Sequence, residues 1–181
     1  TVEGEFVNGK FVSGTISWSD DRFEINDFRG KVSADYSDGI RRWVAKDGSR
    51  KEQHIGKFKD GLLEGRGHRS VMDIGDRVET SGTFAYGRLY GKGLYRHTRK
   101  DAETGASSIS VYDGNFFADL FHGKGNLRVS QSNLPQGSAS FTICGVRLPV
   151  SSVDSLEVIM NGRFDEGSFK EGRISFSDGS W

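Results

Sequence analysis

The sequence predicts an all-β fold, namely an elongated, single-layer, twisted antiparallel sheet of tandem β-hairpins. Three observations carry this prediction: the 181 residues include 25 Gly but only 2 Pro, Gly-x-Phe occurs seven times, and Asx-Gly dipeptides punctuate short apolar segments. Glycine costs a helix interior about 1 kcal/mol per residue, whereas turns and close strand contacts favour it. No window carries apolar residues at helical spacing over three turns, so helices are not expected.

A repeat unit recurs along most of the chain, and its signature is a Gly-x-Phe triplet followed by further glycines. The five triplets that share this context begin at Gly4, Gly56, Gly82, Gly114 and Gly162 and end at Phe6, Phe58, Phe84, Phe116 and Phe164. The three central copies continue into Gly-x-Gly, formed by Gly65 and Gly67, Gly91 and Gly93, and Gly123 and Gly125. The first and last copies are one residue shorter and keep a single Gly. Random placement would give about two such triplets, so the pattern is genuine.

The repeat divides the chain into an array, an interruption and a last copy. Residues 1–129 hold copies beginning near residues 2, 23, 54, 80 and 112, of which the second, around Phe23 to Trp43, is degenerate. Residues 130–159 are expected to form an irregular insertion or a degenerate repeat, and residues 160–181 hold the final copy. Because the chain opens without Met and ends at Trp181 within the repeat rhythm, we expect a fragment whose array continues.

Each copy is predicted to form one hairpin that is stable only when stacked on its neighbours. Residues two apart share a strand face, so Tyr112, Gly114 and Phe116 point the same way, and a neighbouring ring can cover bare glycine backbone. Further aromatic residues expected on this repeat face are Trp18, Tyr95, Tyr112 and Phe176. Turns are predicted at the Asx-Gly dipeptides Asn8-Gly9, Asp38-Gly39, Asp47-Gly48, Asp60-Gly61 and Asp178-Gly179.

Charge and cysteine content exclude several classes of protein. Lys plus Arg and Asp plus Glu number 25 each, so the net charge supplies no attraction toward nucleic acid. The single Cys144 provides neither an internal disulfide framework nor a structural zinc cluster. With no signal peptide and no apolar run of bilayer length, a cytoplasmic location is expected, with cytoskeletal or membrane association left open.

The segments Tyr112-Asp113-Gly114-Asn115-Phe116 and His122-Gly123-Lys124-Gly125-Asn126-Leu127 resemble the MORN (membrane occupation and recognition nexus) repeat. The copies beginning at Val2, His54, Thr80 and Met160 are similar, with the leading Tyr replaced, and Asp119 stands where the repeat usually has Gly. The resemblance implies stacked hairpins that bind and position other molecules and does not by itself imply catalysis. Proteins with similar repeats are commonly scaffolds at cytoskeletal or membrane-associated structures, adaptors, or accessory modules of enzymes.

For each motif that might indicate catalysis or phosphate binding, a structural interpretation is favoured over the functional one. The Gly-x-Gly pairs open no helix and precede no Gly-Lys-Ser/Thr, so a phosphate loop is not expected. Cys144 lacks any local nucleophile signature and is interpreted as a small buried hydrophobic residue. No catalytic residue, metal or cofactor is therefore predicted.

The leading functional hypothesis is a non-catalytic scaffold that binds a protein partner through its sheet face or edges. The repeat-face aromatic residues are expected mainly to stack on neighbouring glycines, with part of their surface accessible to that partner. The open alternatives are a module that binds phosphoinositides or membrane surfaces, and an accessory domain of a larger enzyme. Open strand edges also suggest a homo-oligomer.

Overall fold

The computed structural model describes residues 1–18, 22–132, 140–149 and 155–176, and its regular structure is entirely β-strand, as predicted. Twelve strands form one antiparallel sheet, in the order β1 Val2–Val7, β2 Lys10–Ser17, β3 Phe23–Val32, β4 Ser37–Ala45, β5 Lys51–Lys59, β6 Leu62–Asp73, β7 Asp76–Ala85, β8 Arg88–Lys100, β9 Ser107–Phe117, β10 Leu120–Ser132, β13 Ser155–Asp165 and β14 Ser168–Phe176. Strands β11 Ser140–Ile143 and β12 Val146–Pro149 form a separate two-stranded sheet. Within the described residues, no helix is long and apolar enough to span a bilayer.

A row of glycines crosses the whole twelve-stranded sheet, with one glycine from each strand paired to the glycine of the next strand. We call this set the glycine row, and its members are Gly4, Gly14, Gly30, Gly39, Gly56, Gly67, Gly82, Gly93, Gly114, Gly125, Gly162 and Gly172. A Cβ atom on Gly39 would overlap the carbonyl oxygen of Arg29, and one on Gly162 would overlap that of Glu171. The strands can therefore approach this closely only because the side chains are absent.

The sheet bends at the glycine row, and the hairpin ends fold over one face, which we call the inner face. Arg69 lies two residues beyond the row on one side, and its guanidinium is 2.8 Å from the carboxylate of Asp119 in the β9–β10 turn on the other side. In a flat sheet these residues would be about 20 Å or more apart. The rings of Tyr112 and Phe121 likewise stack across the row with centroids 3.9 Å apart. The bend gives a single sheet a buried core.

The Gly-x-Gly pairs form β-bulges next to the glycine row. Gly56 pairs with Gly67, but the next residue of β5 pairs with Glu64, so Gly65 and its neighbour have no partner in β5. Gly65 has a φ of +77°, a conformation that favours glycine. In the first copy the bulge contains a single residue, Val12 of β2, which has no partner in β1. In the last copy Lys170 of β14 likewise has no partner in β13. A one-residue bulge in place of a two-residue bulge explains why these copies are shorter.

One predicted turn is wrong. Asp38 and Gly39 lie inside β4, where Gly39 belongs to the glycine row, and the chain reverses earlier, where Ser33 N–H donates to the Tyr36 carbonyl at 2.8 Å. The Asx-Gly pair was a poor guide here because the same glycine that suits a turn also suits a close strand contact. The chain does reverse at three of the other dipeptides, Asn8-Gly9, Asp47-Gly48 and Asp60-Gly61. Asp178-Gly179 lies outside the described residues.

The interruption after β10 does not break the sheet. Strand β10 pairs directly with β13, and Gly125 meets Gly162 in the glycine row. The intervening hairpin β11–β12 packs on the inner face, where Leu148 is 4% exposed and the Cys144 carbonyl accepts a 2.9 Å hydrogen bond from Phe169 N–H. Burial raises the pKa of the Cys144 thiol from 9.0 to about 11. The insertion thus closes the C-terminal part of the inner face.

Replacing Gly39 by Ala tests the glycine row, with Gly48→Ala as the matched control. Gly48 lies in the adjacent turn with φ +70° and has no neighbouring atom that a Cβ would meet, so its replacement costs only backbone strain of about 1 kcal/mol. The Gly39 substitution forces two strands apart and should lower the free energy of unfolding by about 3 kcal/mol. Urea titration followed by circular dichroism measures both, and equal losses would contradict the role of the row.

Alkylation of Cys144 tests whether the β11–β12 hairpin is closed. The pKa of the Cys144 thiol is higher in the folded protein than in the unfolded chain, so the protonated thiol contributes to stability below pH 9. This contribution is lost as the pH rises toward 11. At pH 8 the thiolate fraction should be about 100-fold lower in the folded protein, so iodoacetamide should react correspondingly slowly. The control is the same chain in urea, and similar rates in both conditions would show that the hairpin is open.

Candidate functional site

The structure places most of the predicted aromatic residues in the core. Phe58, Phe84, Phe116 and Phe164 are at most 3% exposed, so the main role of these rings is to hold the bent sheet together. The expectation that part of this ring surface stays accessible is therefore not met at these positions, because the hairpin ends cover the rings. Tyr112 is also buried, and Tyr95 and Phe176 are partly buried against the same cluster. Of the predicted set, Phe6 and Trp18 remain accessible, at 52% and 45% exposure.

Tyr112 shows why a ring needs the glycines opposite it. Its hydroxyl donates to the Asn115 carbonyl at 3.0 Å, and the ring lies over Gly114 and Gly125, where an added Cβ would clash with it. Burial raises the pKa of the Tyr112 hydroxyl from 10.0 to about 12. The tyrosine that opens the best-matching repeat is therefore a structural residue.

Asp119, which departs from the repeat pattern, has a role that sequence reasoning missed. It has a φ of +73°, the conformation that glycine takes at equivalent turns. Its carboxylate accepts hydrogen bonds from Leu89 N–H at 3.0 Å and from Arg69 at 2.8 Å. The side chain therefore fastens one hairpin tip to the preceding hairpin and to the inner face, which offsets the backbone strain of about 1 kcal/mol. No local signal predicts this, because Arg69 is 50 residues away.

The hairpin tips present apolar side chains to solvent. We call Leu62, Tyr86, Phe117 and Leu120 the tip strip; their exposed fractions are 48%, 81%, 59% and 47%. The three hairpins that carry them are adjacent, because Gly87 N–H donates to the Leu63 carbonyl at 3.0 Å and Asp119 N–H to the Leu89 carbonyl at 3.1 Å. The strip is continuous with Tyr90, whose ring centroid lies 5.5 Å from that of Phe117. Sequence reasoning missed this strip, since it sought the aromatic face beside the glycines.

Cations line the outer face, opposite the buried rings. Lys57, Arg66, Lys92 and Lys124 each precede or follow a member of the glycine row, and alternation directs them outward. Within the described part of the chain, none of the four has a carboxylate within ion-pair distance. We call them the basic row.

The histidines and carboxylates that lie close together on the sheet form ordinary ion pairs or hydrogen-bonded pairs rather than a catalytic group. His54 lies 2.7 Å from Glu52, and this hydrogen bond is the main cause of a lowered pKa at the half-buried Glu52 carboxyl. His97 lies 3.1 Å from Asp76, and His122 lies 3.2 Å from Asp165. Over the residues that the structure describes, no three His, Cys, Asp or Glu side chains are placed to share a metal ion.

Comparison with known families agrees with this architecture. The family model of the MORN repeat matches residues 3–21, 54–70 and 112–128, which begin the hairpins β1–β2, β5–β6 and β9–β10. No curated protein matches the sequence significantly. The glycine row extends the same hairpin geometry through the strands between and beyond the three matched segments. The chain therefore contains MORN repeats, at least in the three matched segments.

Proposed function

We propose that the chain is a non-catalytic adaptor that binds another protein through its hairpin tips. MORN repeats are generally non-enzymatic, which is consistent with a binding module. The observation that carries the proposal is the tip strip, whose four apolar side chains are 47–81% exposed on three adjacent hairpins. Single exposed apolar residues are ordinary, but several of them on adjacent hairpins are typical of a surface that another protein covers.

Tyr86 supports this surface most directly. It has a φ of +51°, a left-handed conformation that costs a bulky residue about 1–2 kcal/mol, and its side chain is 81% exposed. Among the described residues, little packing compensates for this cost, because most of the ring is in solvent. Glu64 accepts a 3.1 Å hydrogen bond from Tyr86 N–H, which fixes the turn that presents the ring. An aromatic residue held outward on a defined turn suits an interface anchor.

The charges near the tip strip favour an acidic partner. Lys59 and Arg88 occupy the same turns as the strip, both are exposed, and neither has an ion-pair partner in the described part of the chain. The basic row lies on the adjoining outer face. Complementary charge steers association and disfavours partners of like charge. The expected partner surface therefore combines apolar residues with Asp or Glu.

The double substitution Tyr86→Ser, Phe117→Ser tests the adaptor hypothesis. Removing two anchors of about 1.4 kcal/mol each should weaken binding of the protein partner about 100-fold. A photoreactive amino acid at Leu120 identifies proteins that bind the strip in cell extract, and each purified candidate is then titrated against the original chain and the variant.

The matched control is Ile74→Ser. Ile74 is also 81% exposed but lies in the β6–β7 turn, at the opposite end of the strands. It should leave binding unchanged. Retention of full affinity by the tip variant, or equal losses in the variant and the control, would rule out the tip strip as the binding surface.

A membrane-surface module is the second candidate, and the basic row is the observation that favours it. Four cations on one face, none of them ion-paired within the part of the chain that the structure describes, would attract an anionic bilayer, with each contributing about 1 kcal/mol near the surface. Flotation with phosphoinositide-containing vesicles should then show binding that falls steeply as the salt is raised, because the attraction is screened. Replacing Lys92 and Lys124 by Gln should reduce the bound fraction, whereas salt-independent or absent flotation excludes this function.

A further inference from the structure

The inner face contains an unfilled pocket at its N-terminal end. It has a volume of about 210 Å³ and lies between the bent hairpin ends and strands β2–β4. Its main lining residues are Ile16, Trp18, Phe28, Val32, Arg41 and Phe58. Five of these six side chains are apolar, and the sixth places a cation among them. The pocket shares no lining residue with the tip strip or the basic row.

The other end of the same face shows how such a space is filled. There the chain supplies its own occupant, because the β11–β12 hairpin packs Ile143, Val146 and Leu148 against the core. A backbone carbonyl of this hairpin, that of Cys144, accepts the Phe169 N–H at 2.9 Å. The inner face thus accommodates apolar side chains together with a peptide acceptor. Nothing in the described part of the chain fills the N-terminal pocket in the same way.

Arg41 places a positive charge in the wall of the pocket. Its guanidinium lies 5.6 Å from the ring centroid of Trp18 and 4.8 Å from that of Trp43. Nη1 donates to the Gly61 carbonyl at 3.0 Å, while the buried Nε has no hydrogen-bond partner among the described residues. No carboxylate within the described residues pairs with this charge. The cation is positioned by stacking on two aromatic rings, and most of its donor capacity is unused.

The surroundings of Arg41 explain why an acidic ligand would be favoured. The side chain at the equivalent position two strands on, Arg69, is neutralised by Asp119 at 2.8 Å. Arg41 donates to the Gly61 carbonyl as Arg69 donates to the Gly87 carbonyl, but within the described residues no carboxylate, not even that of Asp60 in the same turn, forms an ion pair with Arg41. Burial accordingly lowers the pKa of Arg41 from its ordinary value. A carboxylate from outside the chain would supply the partner that the sequence provides for Arg69.

We propose that the N-terminal pocket binds an apolar side chain of a partner peptide, with a neighbouring carboxylate of that peptide paired to Arg41. This rests on the proposed adaptor function and adds a second contact to it. At about 210 Å³ the pocket is below the range of roughly 300–1,000 Å³ typical of whole small-molecule ligands, so it suits one anchoring side chain. Arginine is the residue best suited to bind a carboxylate through two parallel hydrogen bonds.

N-acetyl-leucine is the probe, because it carries one aliphatic side chain and one carboxylate. Binding to the full chain is measured by saturation-transfer NMR and by the fluorescence of Trp18 and Trp43, which flank Arg41. N-acetyl-leucinamide lacks the charge and should bind at least tenfold more weakly, as expected from the loss of a charge-assisted hydrogen bond. N-acetyl-alanine keeps the charge, lacks the anchor and should also bind more weakly.

Substitutions locate the binding. Arg41→Gln should weaken N-acetyl-leucine at least tenfold, and Arg41→Lys should retain part of the affinity. Ser37→Leu fills the pocket without changing Arg41 and should abolish binding. The control Arg29→Gln removes the same charge from the neighbouring strand, where Arg29 is exposed on the outer face and pairs with Ile40. It should change nothing, and thermal unfolding of each variant checks that the fold is kept.

The outcomes separate this proposal from the adaptor function. Equal binding of the acid and the amide, unchanged affinity in Arg41→Gln, or no binding of N-acetyl-leucine to the original chain would overturn the pocket assignment. None of these results affects capture of a partner by the tip strip, which is measured with different variants. Conversely, full partner affinity in the Tyr86→Ser, Phe117→Ser variant, together with intact N-acetyl-leucine binding, would rule out the tip strip as the binding surface and leave the pocket.

Discussion

The structure depends on the close approach of strands that the glycine row permits. A twelve-stranded single-layer sheet has no second layer to cover its apolar face, so it must cover that face itself. Bending achieves this, but a bend brings side chains from both sides of the crease into the same space. A glycine in every strand at the position of the bend leaves space for these side chains, as the ring of Tyr112 over Gly114 and Gly125 shows. The buried aromatic core is thus a consequence of the glycines.

The same constraint makes the fold depend on neighbouring hairpins. Three bent tips are hydrogen-bonded to the hairpin before them, through Gly87 N–H to the Leu63 carbonyl, Asp119 N–H to the Leu89 carbonyl, and Gly167 N–H to the Phe121 carbonyl. These distances are 3.0–3.1 Å, so the contact repeats with nearly constant geometry. Because stability comes from contacts between successive hairpins, side chains that make none of these contacts can vary without loss of the fold. Tyr86 and Phe117 are largely exposed and occupy such positions.

The sequence predicts the repeat, the hairpins and the strand type well, because these follow from local alternation and glycine spacing. It predicts the bend poorly, since the contacts that define it join distant residues such as Arg69 and Asp119. The misplaced turn at Gly39 has the same origin, because a glycine required by a strand opposite cannot be recognised from its neighbours in sequence. Burial of Phe58 and Phe84, and exposure of the tip strip, follow from the bend and were therefore beyond local reasoning.

The inner face changes in chemical character along the array even though its backbone repeats. At one equivalent position, two residues after the member of the glycine row, the successive hairpins carry Ile16, Arg41, Arg69, Tyr95, Leu127 and Ile174. The apolar end is filled by β11–β12, which needs no charged partner, whereas Arg69 is neutralised by Asp119 from within the sheet. Arg41 is left with neither a covering segment nor a carboxylate in the described structure. A repeat fold can therefore differ in binding capacity from one hairpin to the next while its scaffold remains constant, because the glycine row fixes the backbone independently of the side chains that line the bend.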